Sequence, residues 1–333
     1  PLLGYAPVFG VYGVGLLAAL SAGALTTPRP PVLILLLSVW AGGWMLKGTD
    51  WTRPVGDPLK VTLVQGNVAQ EMKFRPEMLD RTLLDYGRAV LASDARLIVL
   101  PETALPVLRT QLAPDYLEML AEHARHNGGD VVLGIPESEG EGVYYNSVIS
   151  VGSTQEGRYR KAHLVPFGEF LPSGFAWVLR ILSIPMSDFS RGAPDQPPLR
   201  AAGQRLAVNI CYEDAFGEER IAAARDSTML VNVSNDAWFG ASLAPRQHLQ
   251  IGAMRSLEAG RWQLRANNTG YTAIIDAHGR VRNQLKPFTR GALEGRVQGM
   301  TGDTPYLRWG NWPALILMLS LLALARRWRN RRA

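Results

Sequence analysis

Cys211 is the only cysteine of the chain, so its sulfur has no partner for an intrachain disulfide. It lies in LAVNICYED at 206–214, directly after a short apolar, β-rich run. A thiol at the end of a buried strand is held rigidly, with Sγ projecting beyond the sheet. It reads either as a small buried hydrophobe or as a nucleophile. Two other strand ends tip the balance toward chemistry. LIVL at 97–100 runs into Pro101-Glu102-Thr103, which puts a carboxylate where a buried strand stops. Tyr159-Arg160-Lys161 ends a polar strand just before the Pro- and Gly-bearing HLVPFGE at 163–169. Ligand sites of open α/β sheets lie beyond the carboxyl ends of strands. If these elements share a sheet, Glu102, Lys161 and Cys211 converge on one pocket.

Such a trio has a clear division of labour. The thiolate attacks a carbonyl, and the carboxylate takes the thiol proton. The ammonium stabilises the oxyanion and lowers the thiol pKa, with the main-chain N–H of Tyr212 as a second donor. Glu169 and Glu213 follow in the same motifs, and either carboxylate could hold the Lys161 ammonium in place. Phe74 and Trp238 sit in loops after strands and line either the same pocket or the core. His123, His126, His163, His248 and His278 read as surface or structural residues. No clustered His/Cys spacing is present to hold a metal.

PET at 101–103, RKAHLVPFGEFLP at 160–172 and NICYED at 209–214 resemble the Glu–Lys–Cys triad of the nitrilase, or carbon–nitrogen hydrolase, superfamily. The order and spacing match. The likeness extends through Tyr145-Asn146-Ser147, SNDAWFG at 234–240 and the segment 255–276. Joined to flanking apolar helices, the HLVPFGEFLP and SNDAWFG motifs resemble the apolipoprotein N-acyltransferase branch. The resemblance implies a four-layer αββα sandwich with Glu102, Lys161 and Cys211 catalytic. It implies supporting roles for Glu169, Tyr212 and Glu213; Phe74, Phe167, Trp177 and Trp238 are the expected substrate contacts. The implied reaction moves a fatty acyl chain from a phospholipid, through a cysteine thioester, to the N-terminal amine of a diacylglyceryl-cysteine lipoprotein. No metal or organic cofactor is needed. A membrane-anchored amidase and a non-enzymatic scaffold with a degenerate nitrilase fold remain as alternatives.

The elements that must position these residues follow from composition and pattern. The 333 residues hold one domain of about 240 residues with small appendages. A hydrophobic content of 47% fits an average over water-soluble and membrane parts. The net charge of +6 is uneven, because Arg326, Arg327, Arg329, Arg331 and Arg332 crowd the last eight residues. No basic stripe with interleaved aromatics appears, so nucleic acid is not an expected partner. Residues 2–27 carry no charge and are long enough to span about 30 Å of hydrocarbon. Gly4, Gly10, Gly13, Gly15 and Gly23 in this stretch suit close helix packing. Residues 32–46 and 311–325 form two further apolar runs with tryptophans near their ends.

The expected organisation is two transmembrane helices in 1–47, a catalytic domain in 58–300, a C-terminal transmembrane helix in 307–325 and a basic cytoplasmic tail in 326–333. The positive-inside rule puts Arg29 and the tail in the cytoplasm and the domain on the other side. In a bacterium with two membranes that is the periplasm, with the chain anchored in the inner membrane. The chain opens at Pro1 in an apolar segment, without Met or a signal peptide. Because the resembling family has further helices upstream, the expectation is a shortened chain or a cropped numbering.

Within the domain, strands are expected at 59–65, 97–100, 131–135, 145–151, 204–210, 228–233 and 272–275. Helices are expected at 77–92, 114–126, 218–225 and 246–264, with hairpin-like chain at 140–160. Alternating strands and helices imply an α/β domain. The stretch 170–186 (FLPSGFAWVLRILSIPM) is almost wholly apolar yet lies between loop signals. It reads as a core helix or as an arm that meets the bilayer and guards the pocket, and its place beside Lys161 favours the arm.

Overall fold

The computed structural model describes residues 1–26, 28–170 and 189–330. The apolar stretch 170–186, including Trp177 but not Phe170, lies outside the described residues.

Alternation of apolar residues builds the centre of the molecule. In β1 (Arg53–Gln65), Val61 and Leu63 point one way and Val64 the other; in β2 (Leu97–Val99), Leu97 and Val99 oppose Ile98. Both faces of these strands are buried, as expected for parallel strands covered on each side. The strands β3 (Asp130–Ser138), β4 (Tyr144–Gly152) and β5 (Gly157–Arg160) extend this sheet. Its other edge is β12 (Gly291–Thr301), antiparallel to β1, so the order is β12-β1-β2-β3-β4-β5. The second sheet comprises β6 (Leu199–Ala201), β7 (Gln204–Ile210), β8 (Met229–Ser234), β9 (Gln263–Asn267), β10 (Ala273–Ile275) and β11 (Val281–Gln284). Its order is β11-β10-β9-β8-β7-β6.

The two sheets pack face to face through one core, where Val61, Leu63, Leu97 and Val99 meet Leu206, Val208, Val231 and Leu264. Helices α3 (Pro76–Leu91) and α4 (Pro114–His126) cover the first sheet with Tyr86, Val90 and Leu120. Helices α5 (Ile221–Arg225), α6 (Ala244–Ala259) and α7 (Pro305–Trp309) cover the second, joining Ala223, Ala259 and Leu307 to Ala207 and Leu230. The result is the four-layer αββα sandwich.

Several boundaries differ from expectation. The helix expected at 246–264 ends at Ala259, and its last residues belong to β9. β9 alternates Leu264 and Ala266, which enter the core between the sheets, with Gln263, Arg265 and Asn267, which are buried on the other face, so five residues with two apolar side chains hide a fully buried strand. β12 escaped notice for a similar reason, since its edge is polar and its strand character comes from ten partners in β1. The chain at 218–225 splits into a 3-10 turn, Gly217–Arg220, followed by α5.

Three apolar helices flank the domain. They are α1 (Ala6–Thr26), α2 (Pro30–Leu46) and α8 (Trp312–Asn330); α1 touches α2 and α8, and it is α1 that packs on the domain, against α6. Among the described residues, Leu2–Thr26 is the one helix long and apolar enough to cross a membrane. Arg326, Arg327 and Arg329 continue the helix of α8 rather than following it. Of the glycines in the first stretch, Gly4, Gly10 and Gly13 sit at contacts, whereas Gly15 and Gly23 face open space.

Gly10 breaks α1. Its φ of 66° and ψ of −175° leave the helical region, and a Cβ there would meet the Tyr306 ring at 2.4 Å. The break removes the helical acceptor of the next N–H. Val11 N instead donates to Glu258 Oε1 of α6 at 2.6 Å, and Glu258 is paired with Arg255 at 3.0 Å.

Candidate active site

Glu102 stands three residues beyond Val99, the last residue of β2, and the intervening Leu100 is fully buried. Gly134 of β3 allows that turn to lie flat, because a Cβ there would stand 2.5 Å from Thr103 N and 2.8 Å from Glu102 Cα. Lys161 follows β5 directly, and its main chain is pinned on both sides. Lys161 N donates to Asn146 O at 2.9 Å, and Gly192 N donates to Lys161 O at 2.8 Å. The two side chains meet in a buried network. Lys161 Nζ lies 3.3 Å from Glu102 Oε1 and 2.8 Å from Glu169 Oε1. Asn146 Nδ2 donates to the same two oxygens at 2.7 and 2.9 Å. Burial alone would lower the Lys161 pKa, but Glu102 and Glu169 outweigh it and hold the ammonium charged.

Cys211 follows β7 in a left-handed conformation, with φ of 52°, and opens the 3-10 turn Cys211–Ala215. A non-glycine residue in that region stores strain, a recurrent feature of functional sites. The expectation that Lys161 lowers the thiol pKa holds only as one contribution. Burial and the Glu102 carboxylate push the thiol well above its usual range, and the Lys161 effect does not reverse them. The resting sulfur is therefore a thiol, and it needs a base at the moment of attack.

Glu169 and Glu213 separate into two roles. Glu169 touches Lys161, and its second oxygen accepts Val165 N at 2.9 Å. Glu213 does not pair with Lys161. Its oxygens accept the N–H groups of Ala162 (2.8 Å), His163 (3.0 Å) and Ile210 (2.7 Å), and the Tyr159 hydroxyl at 2.8 Å. It thus ties the Lys161 loop on one sheet to the Cys211 strand on the other. Tyr212 is largely exposed, its ring set edge-on to Phe216. Phe74 is half-buried, while Phe167 and Trp238 are exposed.

A second ionic cluster stands behind Cys211, and sequence reasoning missed it. His248 of α6 is buried between two carboxylates, with Nδ1 2.7 Å from Asp236 Oδ1 and Nε2 3.0 Å from Asp214 Oδ1. Nε2 also donates to Cys211 O at 3.1 Å. Arg265 of β9 donates to Asp214 Oδ2 at 2.7 Å. Burial and Arg265 press the His248 pKa down, but Asp214 and Asp236 raise it to about 9. Cys211 Sγ, Asp236 and His248 are close enough together to hold a metal ion. Both His248 nitrogens are already engaged, however, by Asp236 on one side and by Asp214 and the Cys211 carbonyl on the other. The histidine belongs to the polar stretch RQHLQ, which reads as solvated helix; the acids that bury it lie in CYED and SND, beside motifs already singled out.

A groove of about 180 Å³ opens beside Cys211, walled by Tyr212, Ala215, Phe239, Ala244 and Ile251. Pockets for drug-sized ligands run from roughly 300 Å³ upward, so this one holds only part of a ligand of that size.

The sequence profile of the carbon–nitrogen hydrolase family matches residues 60–306. The chain is 51% identical over 333 residues to the apolipoprotein N-acyltransferase of Nitrosomonas europaea, covering 98% of this chain and 67% of that protein. It is 46% identical to the apolipoprotein N-acyltransferase of Chromobacterium violaceum, covering 99% and 66%. It spans about two thirds of the length of the curated relatives it matches. Among solved structures it is similar to Saccharomyces cerevisiae Nit3 of the nitrilase superfamily, with a TM-score of 0.55 and 17% identity over 73% of this chain and 91% of that one. A nitrilase-superfamily amidase of Nesterenkonia AN1 gives 0.53 and 20% over 77% and 95%. At these identities the likeness shows the fold.

Proposed function

The chain belongs to the carbon–nitrogen hydrolase family and, within it, to the apolipoprotein N-acyltransferases, and from that premise we propose that it acylates lipoproteins through Cys211. The acyl donor is a phospholipid ester. The acceptor is the N-terminal amine of a diacylglyceryl-cysteine lipoprotein.

The observation that carries this reading is the buried Glu102–Lys161–Glu169 network whose three charges all act on the chain's lone thiol. Glu102 takes the Cys211 proton as sulfur attacks the ester carbonyl. Lys161 has three N–H donors and spends two on Glu102 and Glu169, which leaves one for the oxyanion. The Tyr212 main-chain N–H is the second donor. As the tetrahedral adduct collapses, Glu102 returns the proton to the leaving lysophospholipid, and a thioester remains on Cys211. The amine of the lipoprotein then attacks the thioester and regenerates the thiol. Phe74, Phe167 and Trp238 contact the lipid chains, and the groove beside Cys211 receives part of the transferred acyl chain. Trp177 and the 170–186 arm are assigned to the same task.

We place α1, α2 and α8 in the bacterial inner membrane, with the domain on the periplasmic side. The support is their apolar exposure, which includes Ile34, Leu35 and Leu37 on α2 and Ile316, Leu319 and Leu322 on α8. The test is mass spectrometry of the protein after incubation with phospholipid in detergent. An acyl adduct on Cys211 is expected, labile to neutral hydroxylamine and absent from Cys211→Ala. Turnover of lipid with Cys211 unmodified would refute the thioester route.

A further inference from the structure

Among the described residues, two lysines are buried in this site, and Lys161 alone has carboxylate partners. Lys73, in the loop after β1, is 4% exposed. Among the described residues its side chain makes one hydrogen bond, to the main-chain oxygen of Glu102 at 3.0 Å. A buried ammonium with one neutral acceptor for its three donors is poorly compensated. Burial lowers its pKa to about 8, opposed by Glu102 and Cys211 and aided by Lys161, the ionisable groups that act on it. The loop is firmly placed. Asn67 N donates to Asn268 O at 2.8 Å, Val68 N to Asn268 Oδ1 at 2.9 Å, and Asn235 Nδ2 to Gln70 Oε1 at 2.7 Å.

Resting on the acyl-transfer reading, the second half-reaction has one proton more than the trio can handle. The acceptor arrives as an ammonium and must lose two protons to become an amide nitrogen. Glu102 takes one and hands it to the Cys211 sulfur as the C–S bond breaks. Lys161 cannot take the other, because Glu102 and Glu169 hold it charged. His248 has both N–H groups engaged.

We propose that Lys73, as a neutral amine, accepts the first proton from the α-ammonium of the incoming lipoprotein and so generates the nucleophile for thioester aminolysis. The freed nitrogen lone pair forms the C–N bond. The adduct nitrogen passes its second proton to Glu102, the C–S electron pair returns to Sγ, and Glu102 protonates it. Lys73 then releases its proton to water. A free α-amino group titrates near 7.7–8.0, and burial brings Lys73 down from the usual lysine range toward it, which lets the amine serve as the base. The first half-reaction does not need Lys73, since its one proton travels from Sγ through Glu102 to the leaving alcohol.

The test separates the half-reactions in the intact protein. Lys73→Met and Lys73→Arg are acylated with phospholipid, the thioester is quantified by mass spectrometry, and a synthetic diacylglyceryl-cysteine peptide is added. Both variants should form thioester within about threefold of wild type, yet transfer to the peptide about 10²-fold more slowly at pH 7. Transfer should recover toward pH 9, where the peptide amine is already free. Arginine keeps the charge and the donor to Glu102 but does not act as a base. Wild-type transfer by Lys73→Arg would mean that the lysine only holds the Glu102 main chain, and would overturn the proposal. Undiminished transfer by Lys73→Met, or equal loss of both half-reactions, would overturn it too. A wild-type protein that forms no thioester would instead sink the acyl-transfer reading, and this inference with it.

Discussion

Among the described residues, two buried cations near Cys211 are each bracketed by a pair of carboxylates. Lys161 lies between Glu102 and Glu169, and His248 between Asp214 and Asp236. Charge and burial do not distinguish them. Donor count does. Lysine has three N–H groups, so two carboxylates leave one for a substrate oxygen. Imidazolium has two, and both are engaged; Nε2 is further shared with the Cys211 carbonyl. The first cluster thus retains capacity for chemistry, and the second is spent on holding the strained nucleophile in place. Each sheet supplies one of them, with Glu213 joining the two.

The sharpest break in this comparison is Lys161→Met. Loss of the free donor should slow acylation of Cys211 by about 10²–10³-fold, the range for one oxyanion donor. Single-turnover labelling with a fluorescent phospholipid measures it, with circular dichroism to check the fold. Acylation within tenfold of wild type would remove Lys161 from the oxyanion site.

His248→Phe should act on stability first. It strands Asp214 and Asp236 in the interior, and breaking a buried ion pair from one side costs about 3–5 kcal/mol. Urea unfolding in detergent reads that loss, and folded variant should still acylate faster than Lys161→Met. If chemistry falls as far as in Lys161→Met while stability is unchanged, His248 is not a support.

The smallest effect is a slope with pH. The His248 pKa is raised from 6.5 to about 9 in the folded protein. A raised pKa means the folded state binds the proton more tightly. Its contribution is full below about pH 6.5 and is lost as pH rises through 9. Stability of the wild type should therefore decline across that window more steeply than stability of His248→Phe. Parallel curves would show that the imidazolium contributes nothing.

Much of the first cluster was legible because its residues stand at strand ends: Glu102 after LIVL, Lys161 after YR and Cys211 after LAVNI. The second cluster was not. His248, Arg265 and Asn267 are buried against Asp214 and Asp236, at polar positions that read in sequence as solvent-facing. The same polarity hid β9 and stretched the expected α6 across it. Lys73 was invisible for a simpler reason: a lysine in a loop reads as solvated, and only the approach of the Glu102 main chain shows otherwise. The Glu213 carboxylate was legible as important but not as a tie to main-chain N–H groups, because those acceptors and donors carry no sequence signature.

That last point bears on how α1 meets the domain. The junction at Gly10 uses the main-chain N–H of Val11, which every amino acid except proline provides. Substitution at position 11 is therefore nearly silent for this bond. Gly10 and Glu258, 248 positions apart in the chain, carry its whole genetic specification. Glu258 lies on the same helix as His248, so the tolerance of the first helix to mutation is bounded by a residue two turns or more along from the group that grips the nucleophile's carbonyl.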